Sequence, residues 1–556
     1  MKPTVLRSAW LRLCLIAGFA LALAFPQLRD ALRPAHTTRV EIRIERADTG
    51  QPIPARVYLF KGADPFRLSP VDALLPLRAD LFYRERIWRQ TERPSVLEVT
   101  ARDASHFILL DGQAAFDLPR SRTDIDEKYR VEVYHGMFFK PAVEEFTLGA
   151  DETRRITVRI EPVAPGRQEN WLSADDHIHL MRAREDDDIF LRWIAAEDLS
   201  VANFLELQRQ QHAAVQYAFG REGEARNPRH SIRSGHESRS LFYGHVLVLG
   251  PERMVEPLSI GEVYANSPEA YPYPSVVFDQ GRKLGGVTGF AHFYGSQPNS
   301  TLIMNLARNE IDFVELFQFG ALHTAEWYEL LNAGFRVVGN AGSDFPANIG
   351  RLETWPRIFP LLGPERALVL ATPGESAYDA WADGIRRGAA VVTNGPFLEF
   401  SVDDQTPGAV LDWQGASKTV RGTATAVFHR PIEKLEIVVN GEVVASRPGD
   451  TQRTELTLPF ETTVRESSWI AARAKASSRE KEPEIWAHAN PVYLLKNGEP
   501  VYREGARKSV RERWAKEAAF YRNPSLVFAE PAQRQRLLEM VAETETILTS
   551  PQPRWR

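Results

Sequence analysis

Apolar residues alternate with polar ones at Val40, Ile42 and Ile44, a turn follows at Thr49–Gly50–Gln51–Pro52, and a second apolar run begins beyond it. In an extended chain, successive side chains point to opposite faces, so this pattern predicts strands with one buried face. The stretch KYRVEVYHGMFFKPAVEEFTLGADETRRITVRIEP repeats the pattern, with breaks at Gly136 and at Gly149–Asp151. Short alternating runs separated by Gly, Pro and Asp predict a β-sandwich over residues 37–165. Pro162–Gln168, containing Pro165–Gly166, is the expected linker.

The pattern changes after Trp171. Apolar strands (GHVLVLG, GGVTGFAHF, IDFVELFQF, RVVGNAGSD) alternate with helical stretches (YPSVVFDQGRKL, AEWYELLNAG). This predicts an α/β domain with a largely parallel sheet over residues 170–400. At about 230 residues it has the size of a single barrel-like domain, where chemistry gathers at the C-terminal ends of strands. Alternation returns over residues 401–495, with a hairpin turn at Asn440–Gly441, predicting a second β-sandwich. KSVRERWAKEAAFY and PAQRQRLLEMVAETETIL predict a helical tail over residues 496–556.

Residues 1–25 read as an export segment. Lys2, Arg7 and Arg12 precede an apolar run from Leu13 to Phe25, with small residues at Ala20, Ala22 and Ala24. The run reaches about 20 Å as a helix, short of a ~30 Å hydrocarbon core, which favours a cleaved signal over a retained anchor. The expected location is periplasmic or extracellular, with membrane contact only through that segment.

Composition narrows the chemistry. The 556 residues carry 68 Lys+Arg and 73 Asp+Glu, a net charge of −5. No basic footprint for nucleic acid follows from that balance. The one cysteine, Cys14, lies in the export segment, so a metal would be held by His, Asp and Glu. Of 13 histidines, 8 fall between His177 and His323.

Candidate ligands recur at successive strand ends. WLSADDHIHL places His177 and His179 two apart, on one face of a strand, with Asp175 and Asp176 as supporting carboxylates. SGHESRSLFYGHVLVLG offers Glu237, a carboxylate able to bridge two ions, and His245, with His236 as a competitor. GGVTGFAHFYG ends a strand in His292, and IDFVELFQFG buries Glu315 in an apolar run, where a carboxylate must be paired or metal-bound. In FRVVGNAGSDFPANIGR, Asp344 follows a strand as a ligand or general base. Arg351, seven residues further on, is a candidate for holding an anionic group. No GxSxG, GxGxxG or GxxxxGK[ST] motif is present.

The series DHIHL, GHES, GHVLVLG, GFAHF, VGNAGSDF and TNGPFLEF resembles the PHP (polymerase and histidinol phosphatase) superfamily and, within it, the CehA/McbA branch of carbaryl hydrolases, over about residues 171–400. The resemblance implies a distorted seven-stranded (β/α) barrel, here flanked by β-sandwiches, with His177, His179, Glu237, His245, His292 and Asp344 as metal ligands. It implies divalent Zn, Mn or Fe. Phe345 and Pro346 stand where many members carry a histidine, and VANFLELQRQ, with Glu206 as its only acid, replaces an expected Thr-Asp-His stretch. The early acids Asp186, Asp187 and Asp188 are the remaining source of a further ligand. One or two ions are therefore expected rather than three.

The function expected from sequence is an exported metal-dependent hydrolase, acting on a small-molecule ester, carbamate, amide or phosphoester, with Asp344 and Arg351 as catalytic residues. Two alternatives stay open: a non-catalytic carbohydrate- or cell-surface-binding protein with a degenerate barrel, and a small-molecule phosphoesterase. Oligomeric state and substrate identity are not legible.

Overall fold

The computed structural model describes residues 36–66, 73–78, 94–100, 106–120, 128–148, 153–180, 182–207, 219–240, 243–255, 273–295, 300–348, 355–528 and 530–550. Residues 1–25, with Cys14 among them, and Arg351 lie outside the described residues, so the expected export segment is not described. The chain is mixed α/β and rich in strands, arranged in several sheets.

Two sheets form the N-terminal region. His36–Arg46 pairs parallel with Arg154–Ile160 and antiparallel with Gln113–Arg120. Ala55–Lys61 pairs antiparallel with Lys128–Tyr134 and His106–Leu109 in the other sheet. Val40, Ile42 and Ile44 share one core with Val57, Leu59, Val131 and Val133. The alternation in the sequence is therefore the burial pattern of the first strand.

The central sheet begins with β1 (Trp171–Ile178), β2 (Val201–Leu207) and β3 (Ser231–Ser240), all parallel. β4 (Gly244–Leu249) runs antiparallel to β3 and to β5 (Val287–Phe290). β5, β6 (Phe313–Gln318) and β7 (Val338–Ala341) are again parallel. The expected largely parallel sheet is thus interrupted at β4. Three residues separate β3 from β4, far fewer than the dozen or so that a parallel crossover needs.

Beyond β7 the chain returns to the first strand. Phe345 forms a parallel bridge with Ile178. The His179 N–H donates to the Phe345 carbonyl at 2.7 Å. β8 (Arg366–Leu370) pairs antiparallel with β1, and β9 (Ala390–Thr393) with β8.

Helices α1 (Asp187–Ala196), α2 (Pro274–Lys283), α3 (Leu302–Ala307), α4 (Thr324–Asn332) and α5 (Ala377–Arg387) punctuate these strands. α5 shows why such a segment is helical. The Ser376 side chain accepts from the Asp379 N–H at its start, and Gly388, at φ 76°, ends it. Tyr378, Trp381, Ala382 and Ile385 recur at helical spacing and are buried against the sheet.

β9 also pairs with Ile485–Ala489, which makes one sheet of the C-terminal region continuous with the central sheet. The opposing sheet comprises Phe397–Val402, Lys418–Val427 and Glu455–Val464. Asn440 and Gly441 turn the hairpin at φ 52° and 95°, as a tight primed turn requires. α6 (Glu504–Tyr521) and α7 (Pro531–Thr549) bury Trp514, Tyr521 and Met540 in the cluster that also holds Trp327 of α4. Among the described residues no helix is long and apolar enough to cross a membrane.

The N-terminal region is joined to the central sheet by a fully buried ion pair. Arg56 Nε lies 3.0 Å from Glu197 Oε1, with both side chains at 0% exposure. The same guanidinium donates to the Tyr58 hydroxyl at 2.9 Å and to the Arg357 carbonyl at 2.6 Å. Removing one partner strands the other charge without water. Arg56→Ala is expected to cost about 3–5 kcal/mol in urea-induced unfolding, whereas the double replacement Arg56→Met/Glu197→Leu should recover most of that loss. Equal destabilisation by both variants would contradict a charge-burial origin.

Candidate metal centre

Six sequence-selected residues meet at one end of the central sheet. His177 and His179 lie at the end of β1, on the same face, and are buried. Glu237 is on β3. His245 is near the start of β4, and because β4 runs antiparallel, its start lies at the same end as the finish of β1 and β3. His292 and Asp344 follow β5 and β7. Both adopt left-handed backbone, φ 52° and 48°, leaving the in-out alternation of the strands they follow.

The donor atoms form two groups that share one residue. His177, His179 and Glu237 present ligand atoms within 4.8 Å of one another, and so do Glu237, His245 and His292. Glu237 Oε2 is 3.1 Å from His179 Nε2, and Oε1 is 3.2 Å from His245 Nδ1. Asp344 faces both groups: Oδ1 is 3.4 Å from His177 Nε2 and 3.3 Å from His179 Nε2, and Oδ2 is 3.8 Å from His292 Nε2.

The surrounding hydrogen bonds set the imidazole tautomers. His177 Nδ1 lies 2.6 Å from Glu315 Oε1, and His179 Nδ1 lies 3.1 Å from the Leu205 carbonyl. His292 Nδ1 meets Gln318 Oε1. Each of these oxygens accepts, so each Nδ1 carries a proton and each Nε2 faces the cluster, the atom that ligates once any proton on it is displaced. Neither oxygen of Glu237 and neither nitrogen of His245 has a hydrogen bond of normal geometry, although all are buried. Orphaned buried donors of this kind fit a divalent ion with N and O ligands.

Behind the ligands lies a layer of support. Asp175 Oδ1 accepts from the backbone N–H of His177 at 3.0 Å and of Ser343 at 2.9 Å, and Oδ2 accepts from Gly363 at 2.7 Å. Asn340 donates to Asp176 at 2.5 Å. Gly342 is required here, since a Cβ would sit 1.9 Å from Asp176 Oδ1. Glu315 also accepts the His292 N–H at 2.5 Å, which explains a carboxylate inside an apolar strand.

Burial disfavours the charged form of His177, but the Glu315 and Asp344 carboxylates outweigh it and hold its pKa well above the ordinary value. His179 is also raised: burial opposes the charge, and the Asp344 and Glu237 carboxylates beside its Nε2 overcome it. Burial acts against ionised Glu237, yet Arg239 and the imidazoles keep its pKa well below the usual range. Asp344 is lowered against burial by His177 and His179.

The other candidates are placed elsewhere. His236, one residue from Glu237, points to the opposite face, accepts the Val255 N–H at 2.8 Å and stacks on Phe219. Asp187 pairs with Arg182 at 2.6 Å and Asp188 with Arg192 at 2.7 Å at the start of α1. Asp186 and Glu206 are buried but belong to neither ligand group. Gln318, Asn340 and Arg239 were not singled out from sequence. Arg239 Nε is 3.6 Å from Glu237 Oε1. The signal for Gln318 was the one that marked Glu315, a polar side chain in an apolar strand.

No protein-family model matches the sequence. No curated protein matches it either. Among solved structures, the chain is similar to a lesion-specific endonuclease, PfuEndoQ from Pyrococcus furiosus, at 13% identity and a TM-score of 0.25. The match covers 39% of this chain and 56% of that one. A superposition that loose carries no functional inference.

Metal binding and pH are linked with a definite sign. With folded pKa values raised, protonated His177 and His179 stabilise the metal-free fold fully below the unfolded value near about 6.5, and that contribution fades as pH rises through the raised values. Glu237 and Asp344, being lowered, stay ionised through the ordinary carboxylate range. An ion must displace the imidazole protons. The rise in Tm produced by saturating Mn or Zn should therefore grow between about pH 5.5 and about pH 8 in thermal-shift measurements. A rise independent of pH would contradict imidazole ligation.

Proposed function

We propose that this chain is an exported metal-dependent hydrolase of the CehA/McbA-like branch of the PHP superfamily. The observation that carries the reading is the convergence of imidazole lone pairs on the orphaned carboxylate of Glu237. In this reading β1–β7 form the distorted barrel, with the Ile178–Phe345 bridge at its seam. The segment of residues 1–25 directs export.

His177, His179 and Glu237 would hold one ion, and Glu237, His245 and His292 a second, with Asp344 facing both. Bound divalent ions supply Lewis acidity and bring the pKa of water toward neutrality. Glu315, Gln318 and the Leu205 carbonyl hold the imidazoles in the ligating tautomer. Asp344 takes the proton from the attacking water and returns it to the leaving group. Arg239, with Arg351, supplies positive charge for a substrate oxygen. The substrate is a small ester, carbamate, amide or phosphoester.

A screen of chromogenic nitrophenyl esters, carbamates and phosphoesters tests this. At least one class should turn over, chelator should abolish the rate and added Mn or Zn restore it. Glu237→Gln should lower kcat/KM about 100-fold or more. Turnover that survives both chelation and Glu237→Gln would overturn the reading.

A further inference from the structure

A cavity of about 420 Å³ lies where the N-terminal sheets meet the central sheet. That is within the ordinary range for a small-ligand site, about 300–1,000 Å³. It is separate from the metal centre. Ser173 lines it near the start of β1, whereas His177 is four residues further along the same strand, about 13 Å at ~3.3 Å per residue.

Its walls combine aromatic rings with hydrogen-bonding groups and the charged side chains of Arg46, Glu169 and Arg229. Phe138, Phe139 and Trp171 contribute rings. Arg46 is occupied by a two-point contact with Asp48 at 2.7 and 2.9 Å and by Glu169. Burial holds both His135 and His230 neutral, each lowered to about 4.

His135 is the decisive group. It is 9% exposed, and its Nδ1 lies 2.7 Å from the Pro54 carbonyl. That carbonyl can only accept, so Nδ1 carries the proton and Nε2 is a bare acceptor. Among the described residues, Nε2 has no hydrogen bond. Asp198 Oδ1 faces it at 3.9 Å, too far for a direct bond. Burial raises Asp198 to about 7, so near neutral pH its carboxyl is a donor as well as an acceptor. A hydroxyl, which donates and accepts at once, completes this pair. The approach is built into the backbone: at Gly136, φ 53°, a Cβ would come within 2.3 Å of the Asp198 Cβ.

We propose that this cavity is a second ligand site, which takes a neutral sugar ring with a hydroxyl between His135 and Asp198. The C–H face of a pyranose packs on the aromatic rings, while its rim of hydroxyls finds donors and acceptors such as Gln168. The site stands independently of the hydrolase reading.

The test is isothermal titration of the full chain with the methyl glycosides of glucose, galactose and mannose and with N-acetylglucosamine. Glucuronate and glucosamine serve as charged counterparts. At least one neutral sugar should bind with a Kd of about 1 mM or tighter. His135→Ala and the isosteric Asp198→Asn should each weaken it about tenfold, with unfolding transitions showing that both variants fold. His177→Ala/His179→Ala should bind the sugar as the wild type does. No saturable binding by ~10 mM would overturn the proposal. So would binding lost in the His177/His179 variant but kept in His135→Ala, or equal binding of the charged counterparts.

Discussion

Charge compensation at Glu237 is the constraint on which the centre depends. Its side chain is 1% exposed, its oxygens lack hydrogen bonds, and its nearest polar neighbours are imidazole nitrogens. A buried carboxylate costs several kcal/mol unless a positive charge balances it. In the metal-free chain, protons on His177 and His179, helped by Arg239, provide that balance. Divalent ions would provide it with far better geometry, because three Nε2 atoms are already turned inward by the acceptors behind them. The raised imidazole pKa values and the lowered Glu237 value are thus two views of one demand for positive charge.

The fold meets that demand by topology. Parallel strands deliver side chains to one end of a sheet, and the antiparallel β4 delivers His245 to that same end from its start. The bridge from Phe345 to Ile178 draws the segment carrying Asp344 against the one carrying His177 and His179. The six ligands therefore come from five segments dispersed over about 170 residues, yet each is held by backbone pairing close by. At the other end of β1, the buried Arg56–Glu197 pair locks the N-terminal region in place, and the cavity containing His135 opens in the same joint.

Much of this was legible in the sequence, for physical reasons. Alternation at Val40, Ile42 and Ile44 reports a one-sided strand, and helical spacing of Tyr378, Trp381, Ala382 and Ile385 reports a face on the sheet. His-x-His requires no tertiary knowledge to place two imidazoles on one face. The reversal at β4 depends on the short connection after β3, which the hydrophobic pattern does not express. His236 and Glu237 are adjacent, so only strand register decides which one faces the cluster. Gln318, Asn340 and Arg239 act through partners far along the chain, and pairings of that range leave no local trace. The His135–Asp198 pair is hidden in the same way, since it exists only where two regions meet.

Metal content measured by mass spectrometry, on protein purified without an affinity metal, tests the central claim most directly. Wild type should carry, or take up on dialysis against Mn or Zn, close to two equivalents, and His177→Ala/His179→Ala should lose at least one while retaining its fold. Wild type that binds no divalent ion under these conditions would contradict the account.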